Sequence, residues 1–235
     1  MRNVVDDLFP GVSDDSYIKC WKNHYKQKSD IFIRINGVMR GISIKKGSRN
    51  SVHVESVYSF INFLKENGLN GDSIKEFLKY HYADGTINGS GEKRMAIDQY
   101  KLKHQDKINV LNEIFNSKYF INSAIERFVI KGTNSEFFID GIIYGEVTDF
   151  LWINRKDIIK VILAKQQLYS SGLHFGSLFC QPKNRCLNCN KKYEQDRHIV
   201  QIKWYSLFDD IIDNMNTNAS ADLYKKEYNA DNVGS

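Results

Sequence analysis

The dipeptide Asn36-Gly37 constrains this chain more than any other feature. It separates Ile31-Phe32-Ile33-Arg34-Ile35 from Val38-Met39-Arg40-Gly41-Ile42-Ser43-Ile44-Lys45. Asn-Gly between β-branched runs predicts a two-residue hairpin turn with positive φ at both positions. The turn sets the register: Ile35 opposite Val38, Ile33 opposite Arg40, Ile31 opposite Ile42. That face is nearly all aliphatic and is expected to be buried. Pleat alternation puts Asp30 opposite Ser43 on the other face, with Lys45 one diagonal step, about 7–8 Å, away. A carboxylate, a hydroxyl and an ammonium then converge at one end of a sheet, a spacing suited to a divalent cation and a phosphate. Taken alone, the same residues also fit a polar outer face with a weak Asp–Lys pair.

The residues that follow sharpen the choice. Gly47-Ser48-Arg49-Asn50-Ser51 is a basic, glycine-bearing entry into a helix expected over residues 51–66, where Val54, Val57, Ile61 and Leu64 fall at helical spacing. Such an entry suits phosphate contact. Glu55 falls in the first turn. There it either complements the helix dipole or reaches back to a metal beside Asp30.

Asp30, then Ser43-Ile44-Lys45 on the next strand, then Glu55, resembles the PD-(D/E)XK nuclease core of type II restriction endonucleases. Ser29 stands where that motif usually has proline, and Ser43 where it usually has an acidic residue. Some members carry S-X-K and take the second carboxylate from the following helix, the role expected of Glu55. The resemblance covers about residues 25–66. It implies an αβββαβ core with helices on both sheet faces, Mg²⁺ dependence and hydrolysis of DNA phosphodiesters. It makes Asp30, Ser43, Lys45 and Glu55 the catalytic set and Asp30 and Glu55 the metal ligands. Mg²⁺ favours one or two carboxylates completed by water and phosphate oxygens. Lys45 would orient or deprotonate the attacking water and neutralise the phosphate.

Elsewhere strands mix with helices, so the fold class is α/β or α+β: a mixed central sheet flanked by helices, with a helical insertion at about 84–131. Helices are expected near Tyr17–Tyr25, over Ser73–Tyr82, over most of 96–131, over Arg155–Ser170 and over Ser206–Met215. Strands are expected at Phe137–Val147 and His198–Trp204, and a loop at Ala83–Lys93. Residues 1–215 read as a single domain and 216–235 as a flexible tail. The chain has 235 residues with 42% apolar, 26% charged and net charge +5, which excludes a disordered or membrane-spanning class and permits nucleic-acid binding. The N-terminus lacks a signal-peptide pattern, and four cysteines make no disulfide scaffold, so a reduced cytoplasmic protein is expected.

Two other constellations compete. Cys180, Cys186, Cys189 and His198 have C-x5-C-x2-C-x8-H spacing, which suits a structural Zn²⁺ or else three reduced thiols in a loop. Cys20 is expected to be a buried apolar residue. Gln201-Ile202-Lys203 is a Q-X-K sequence, but it lacks an upstream strand-borne Asp and reads as a structural or DNA-contacting strand. Lys46, Arg49, Asn50, Arg185 and Lys203 are the expected DNA contacts. No Walker A loop, GxSxG, HExxH or dinucleotide fingerprint is present. The expectation is a Mg²⁺-dependent, site-specific endonuclease of double-stranded DNA acting as a homodimer. The alternatives are a repair or junction-resolving nuclease on the same core, or a non-catalytic zinc-bearing DNA-binding module.

Overall fold

A computed structural model describes residues 2–25, 27–48, 50–133, 136–166, 170, 172–183 and 191–231. In it the Asn36-Gly37 turn has φ of +48° and +82°, the positive pair this turn requires. It joins β2 (Ile31–Ile35) to β3 (Val38–Lys45), with Ile35 opposite Val38, Ile33 opposite Arg40 and Ile31 opposite Ile42 as expected. Residues 18–22, expected in a helix, instead form β1 (Ile18–Lys22), which pairs antiparallel with β2. β1 is an edge strand. Ile18 is half-exposed and Cys20 is exposed rather than buried, because one side of the strand has no neighbour to cover it.

A five-stranded mixed sheet has the order β1-β2-β3-β5-β6, where β5 is Gly141–Gly145 and β6 is Phe150–Asn154. β5 runs parallel to β3 and antiparallel to β6. Parallel pairing demands a long crossover. Here it contains β4 (Ser51–Ser56), α2 (Val57–Glu66), α3 (Gly71–Tyr82), α4 (Ile97–Phe115), α5 (Lys118–Ala124) and a π-helical segment, Ile125–Lys131. Residues 83–96 form the expected loop. β4 belongs to a second, antiparallel sheet, β4-β9-β8-β7, with β7 at Leu173–Phe175, β8 at Leu178–Pro182 and β9 at Ile199–Lys203. Chain order is thus α1 (Arg2–Leu8), three antiparallel strands, a largely helical crossover, then a strand parallel to β3.

Each sheet face has its own cover. The aliphatic side of the hairpin, Ile33, Ile35 and Ile42, packs on Val4, Leu8 and Phe9 at α1. The main core lies on the other side. It joins Ile142 and Ile153 of the mixed sheet, Val200 and Ile202 of the second sheet, and a phenylalanine cluster at Phe60, Phe63, Phe77, Phe115, Phe128 and Phe175. Phe115 and Phe175 stack with ring centroids 4.7 Å apart. α6 (Arg155–Ala164) buries Ile158 and Ile162 here. α7 begins at Leu207 and runs to Asp231, so residues 216–231 of the expected flexible tail have helical backbone. Among the described residues no helix is long and apolar enough to cross a membrane.

Residues 51–66 divide at Ser56. Its side chain accepts a hydrogen bond from the Ser59 amide at 3.1 Å and caps α2, leaving residues 51–56 to pair with β9 as a strand. Glu55 therefore stands on a strand, not on the first turn of a helix.

Candidate functional site

The corner at the open end of the hairpin assembles from backbone register. Asp30 precedes β2, and its amide donates to the Ile42 carbonyl at 2.8 Å. Its carboxylate turns toward β3. Oδ2 accepts from the Ser43 hydroxyl at 2.9 Å and from the Ile44 amide at 2.6 Å. The Lys45 ammonium donates to Ser43 Oγ at 2.8 Å and lies 3.9 Å from Asp30 Oδ2. Asp30, Ser43 and Lys45 are thus brought together as the sequence predicts, with Ser43 as the bridge. Gly41 makes room for this. A Cβ there would overlap Ser29 Oγ and come within 2.7 Å of the Phe138 carbonyl.

This corner opens into a cleft of about 370 Å³ whose walls include Lys28, Val54, His53 and Lys131. Lys28 and His53 carry roles the sequence reading missed. The Lys28 ammonium donates to the carbonyls of Val52 in β4 and Phe128 in the π-helix. Burial, helped by the Lys45 charge, pulls its pKa down to about 7 against the pull of Asp30 and Glu55. Burial also lowers Lys45, with Asp30 opposing. His53 is buried against the Phe128 ring, at 5.2 Å between centroids, and burial lowers its pKa as well. Its Nε2 has no hydrogen-bond partner among the described residues. Lys131 stands on the far wall and also pairs with Glu126 at 2.9 Å. Lys28, Lys45 and Lys131 face the one carboxylate of Asp30, so basic groups outnumber acidic ones in the cleft even though Lys131 is paired with Glu126 and Lys28 is only part-protonated near neutral pH. A larger groove of about 640 Å³ adjoins it across Lys131 and Gly132.

Glu55 is not a partner for Asp30. It is buried, and Oε2 accepts from Arg127 at 2.8 Å and from the Ser59 hydroxyl at 2.8 Å. His53 Nε2 lies 3.7 Å from the same oxygen. Burial raises the Glu55 pKa, but His53, Arg127 and Ser59 together outweigh it and hold the carboxyl below its ordinary value. The carboxylate expected to bind metal is consumed by a guanidinium. Among the described residues no group of three His, Cys, Asp or Glu side chains is arranged to hold a metal ion. Both hydrogen bonds to the Asp30 carboxylate among the described residues go to Oδ2, leaving Oδ1 as its other oxygen. This donor set fits a Mg²⁺ ion held by one carboxylate together with substrate oxygens and water, and not a two-carboxylate site.

The other expected contacts divide. Lys46 is exposed and 3.5 Å from Glu146. Asn50 is buried: its Nδ2 donates to the Gly47 carbonyl at 3.0 Å, and its own carbonyl accepts from the Trp204 amide at 2.9 Å, so it locks a turn and does not face a ligand. Lys203 lies over the Tyr205 ring at 5.3 Å, and Gln201 bonds to Ser51 and Gln181 within the second sheet, so Gln201-Ile202-Lys203 is part of that sheet. Cys180 is buried in the main core, where burial pushes its thiol pKa up, and His198 Nδ1 lies 3.0 Å from the Tyr82 hydroxyl. Arg49, Arg185, Cys186 and Cys189 lie outside the described residues. No family model matches the chain, and none of the curated proteins does either.

Proposed function

We propose that the chain is a Mg²⁺-dependent DNA nuclease of the PD-(D/E)XK type, hydrolysing phosphodiester bonds at the Asp30–Ser43–Lys45 corner. The observation that carries this reading is the hydrogen-bonded run from Lys45 through Ser43 to Asp30 at the mouth of a lysine-lined cleft. The chain order, a helix and three antiparallel strands followed by a helical crossover to a strand parallel to the third, supports it.

Asp30 would hold the metal through Oδ1, and the metal would supply charge for the phosphate oxygens and a more acidic water. Ser43 keeps the Asp30 carboxylate and the Lys45 ammonium in one geometry. Lys45 faces the phosphate. In its charged form it neutralises developing negative charge, and its lowered pKa raises the fraction able to take a proton from water. Lys28 adds a second amine, part-protonated at neutral pH because its pKa lies at about 7. Its two carbonyl acceptors fix the position of Nζ, leaving the third hydrogen or the lone pair for the ligand. A cut through both strands requires two such corners, which a homodimer supplies.

Incubation with plasmid and genomic DNA, with and without Mg²⁺, tests this reading, and discrete fragments mark site specificity. Asp30→Ala and Lys45→Ala are each expected to lower cleavage by about 10²-fold or more. Near-UV circular dichroism should be unchanged, because both side chains leave the core intact. Full activity in either variant refutes the corner as the catalytic site.

A further inference from the structure

The side of the mixed sheet that carries Asp30 continues away from the corner as an aromatic and basic surface. Residues 30, 32 and 34 share a face of β2, and register puts Trp21 beside Phe32 and Lys19 beside Arg34. Trp21 and Phe137 both contact Phe32, with centroids at 5.8 Å and 5.5 Å, so Phe32 forms the floor of a trough between them. The trough measures about 430 Å³ and is mostly apolar, with Met39 at one side and Lys22 and Glu136 at its rim. Lys19 Nζ lies 5.8 Å from the Trp21 ring, and Lys19 and Arg34 are both exposed. Gln27 lines both this trough and the cleft at Asp30, so the two are neighbours. Phe32 is two residues from Asp30, about 6.7 Å along the strand. One nucleotide spans that distance between its phosphate and its base.

From this we infer that the trough takes an unstacked nucleobase of the strand being cut, so that duplex DNA is engaged where it is locally unpaired and an unpaired strand binds more tightly than continuous duplex. The inference rests on the nuclease reading and extends it to substrate class. Aromatic faces flanked by cations bind unpaired strands, the rings taking bases and the cations tracking phosphates. A base paired inside a duplex cannot enter such a trough.

The test is fluorescence anisotropy in EDTA at low salt, using one labelled oligonucleotide alone and the same strand annealed to its complement. The expected result is tighter binding of the single strand. Trp21→Ala and Phe137→Ala should each weaken it by about 5- to 100-fold while duplex affinity stays within about twofold, and Trp21→Phe should restore most of the loss. Two variants from separate segments keep the test readable if one fails to fold. Unchanged single-strand affinity in both alanine variants, with DNA still bound, overturns the trough and leaves the nuclease reading standing. Failure of the wild type to bind either form removes both. A variant that changes oligomeric state in sedimentation without changing affinity assigns the trough to a second copy of the chain and overturns the proposal.

Discussion

Arg127 keeps Glu55 ionised in a place where water contributes little: the Glu55 side chain is 3% exposed. Removing one member of such a pair leaves the other charge poorly solvated. Glu55→Gln is therefore expected to destabilise the fold by about 3 kcal/mol at neutral pH, read by urea unfolding. The pH dependence follows from the direction of the shift. The folded carboxyl titrates below its ordinary value of 4.5, so its contribution is fully present above that value and is lost as pH falls through the lower folded one. The gap between wild type and Glu55→Gln should narrow as pH falls below about 4.5. The same variant separates a structural carboxylate from a metal ligand. Once folded, it should need no more Mg²⁺ for half-maximal cleavage than wild type, whereas a ligand's loss would raise that requirement.

The hairpin was legible because everything that fixes it is local. Asn36-Gly37, alternating isoleucines and the Asp30–Ser43 pairing lie within 16 residues of one another, and the register follows from the turn. β4 was not, because its identity is set from afar. Residues 54, 57, 61 and 64 have helical spacing, yet Val54 is half-exposed on a strand and only the later part of the segment is helical. Ser56, a serine suited to N-cap a helix, is the local signal for the true helix start. The partners that define β4 are on β9 and at Arg127, the latter 72 residues from Glu55. β1 failed for a related reason, since an exposed edge strand has no buried alternation to reveal it. The corner also depends on a close approach between elements. Gly41→Ala brings a Cβ against Ser29 and the Phe138 backbone, and backbone does not yield as a side-chain tip does. It should cost about 1–3 kcal/mol by thermal unfolding and reduce cleavage more than stability alone explains, because Ser29 adjoins Asp30.

Over the whole molecule, a net charge of +5 is modest, and the useful charge is local. Lys28, Lys45 and Lys131 face one cleft. If all three meet phosphates, the logarithm of DNA affinity should fall with the logarithm of salt at a slope of about −2 for a single strand and nearer about −3 for duplex, measured by anisotropy titration. A flat response would argue against a polyanionic ligand. The contacts closing the cleft differ widely in sequence range. Ser43 to Asp30 spans 13 residues, while Lys28 to the Phe128 carbonyl spans 100. Loop-closure entropy favours the short contact first. During synthesis, a chain emerging from the ribosome can pair Asp30 with Ser43 as soon as the hairpin is out, but it must wait for the whole crossover before the π-helix supplies the opposite wall. The Asp30–Ser43 corner thus exists early only as an open hairpin end, and becomes a walled cleft late in the chain's production.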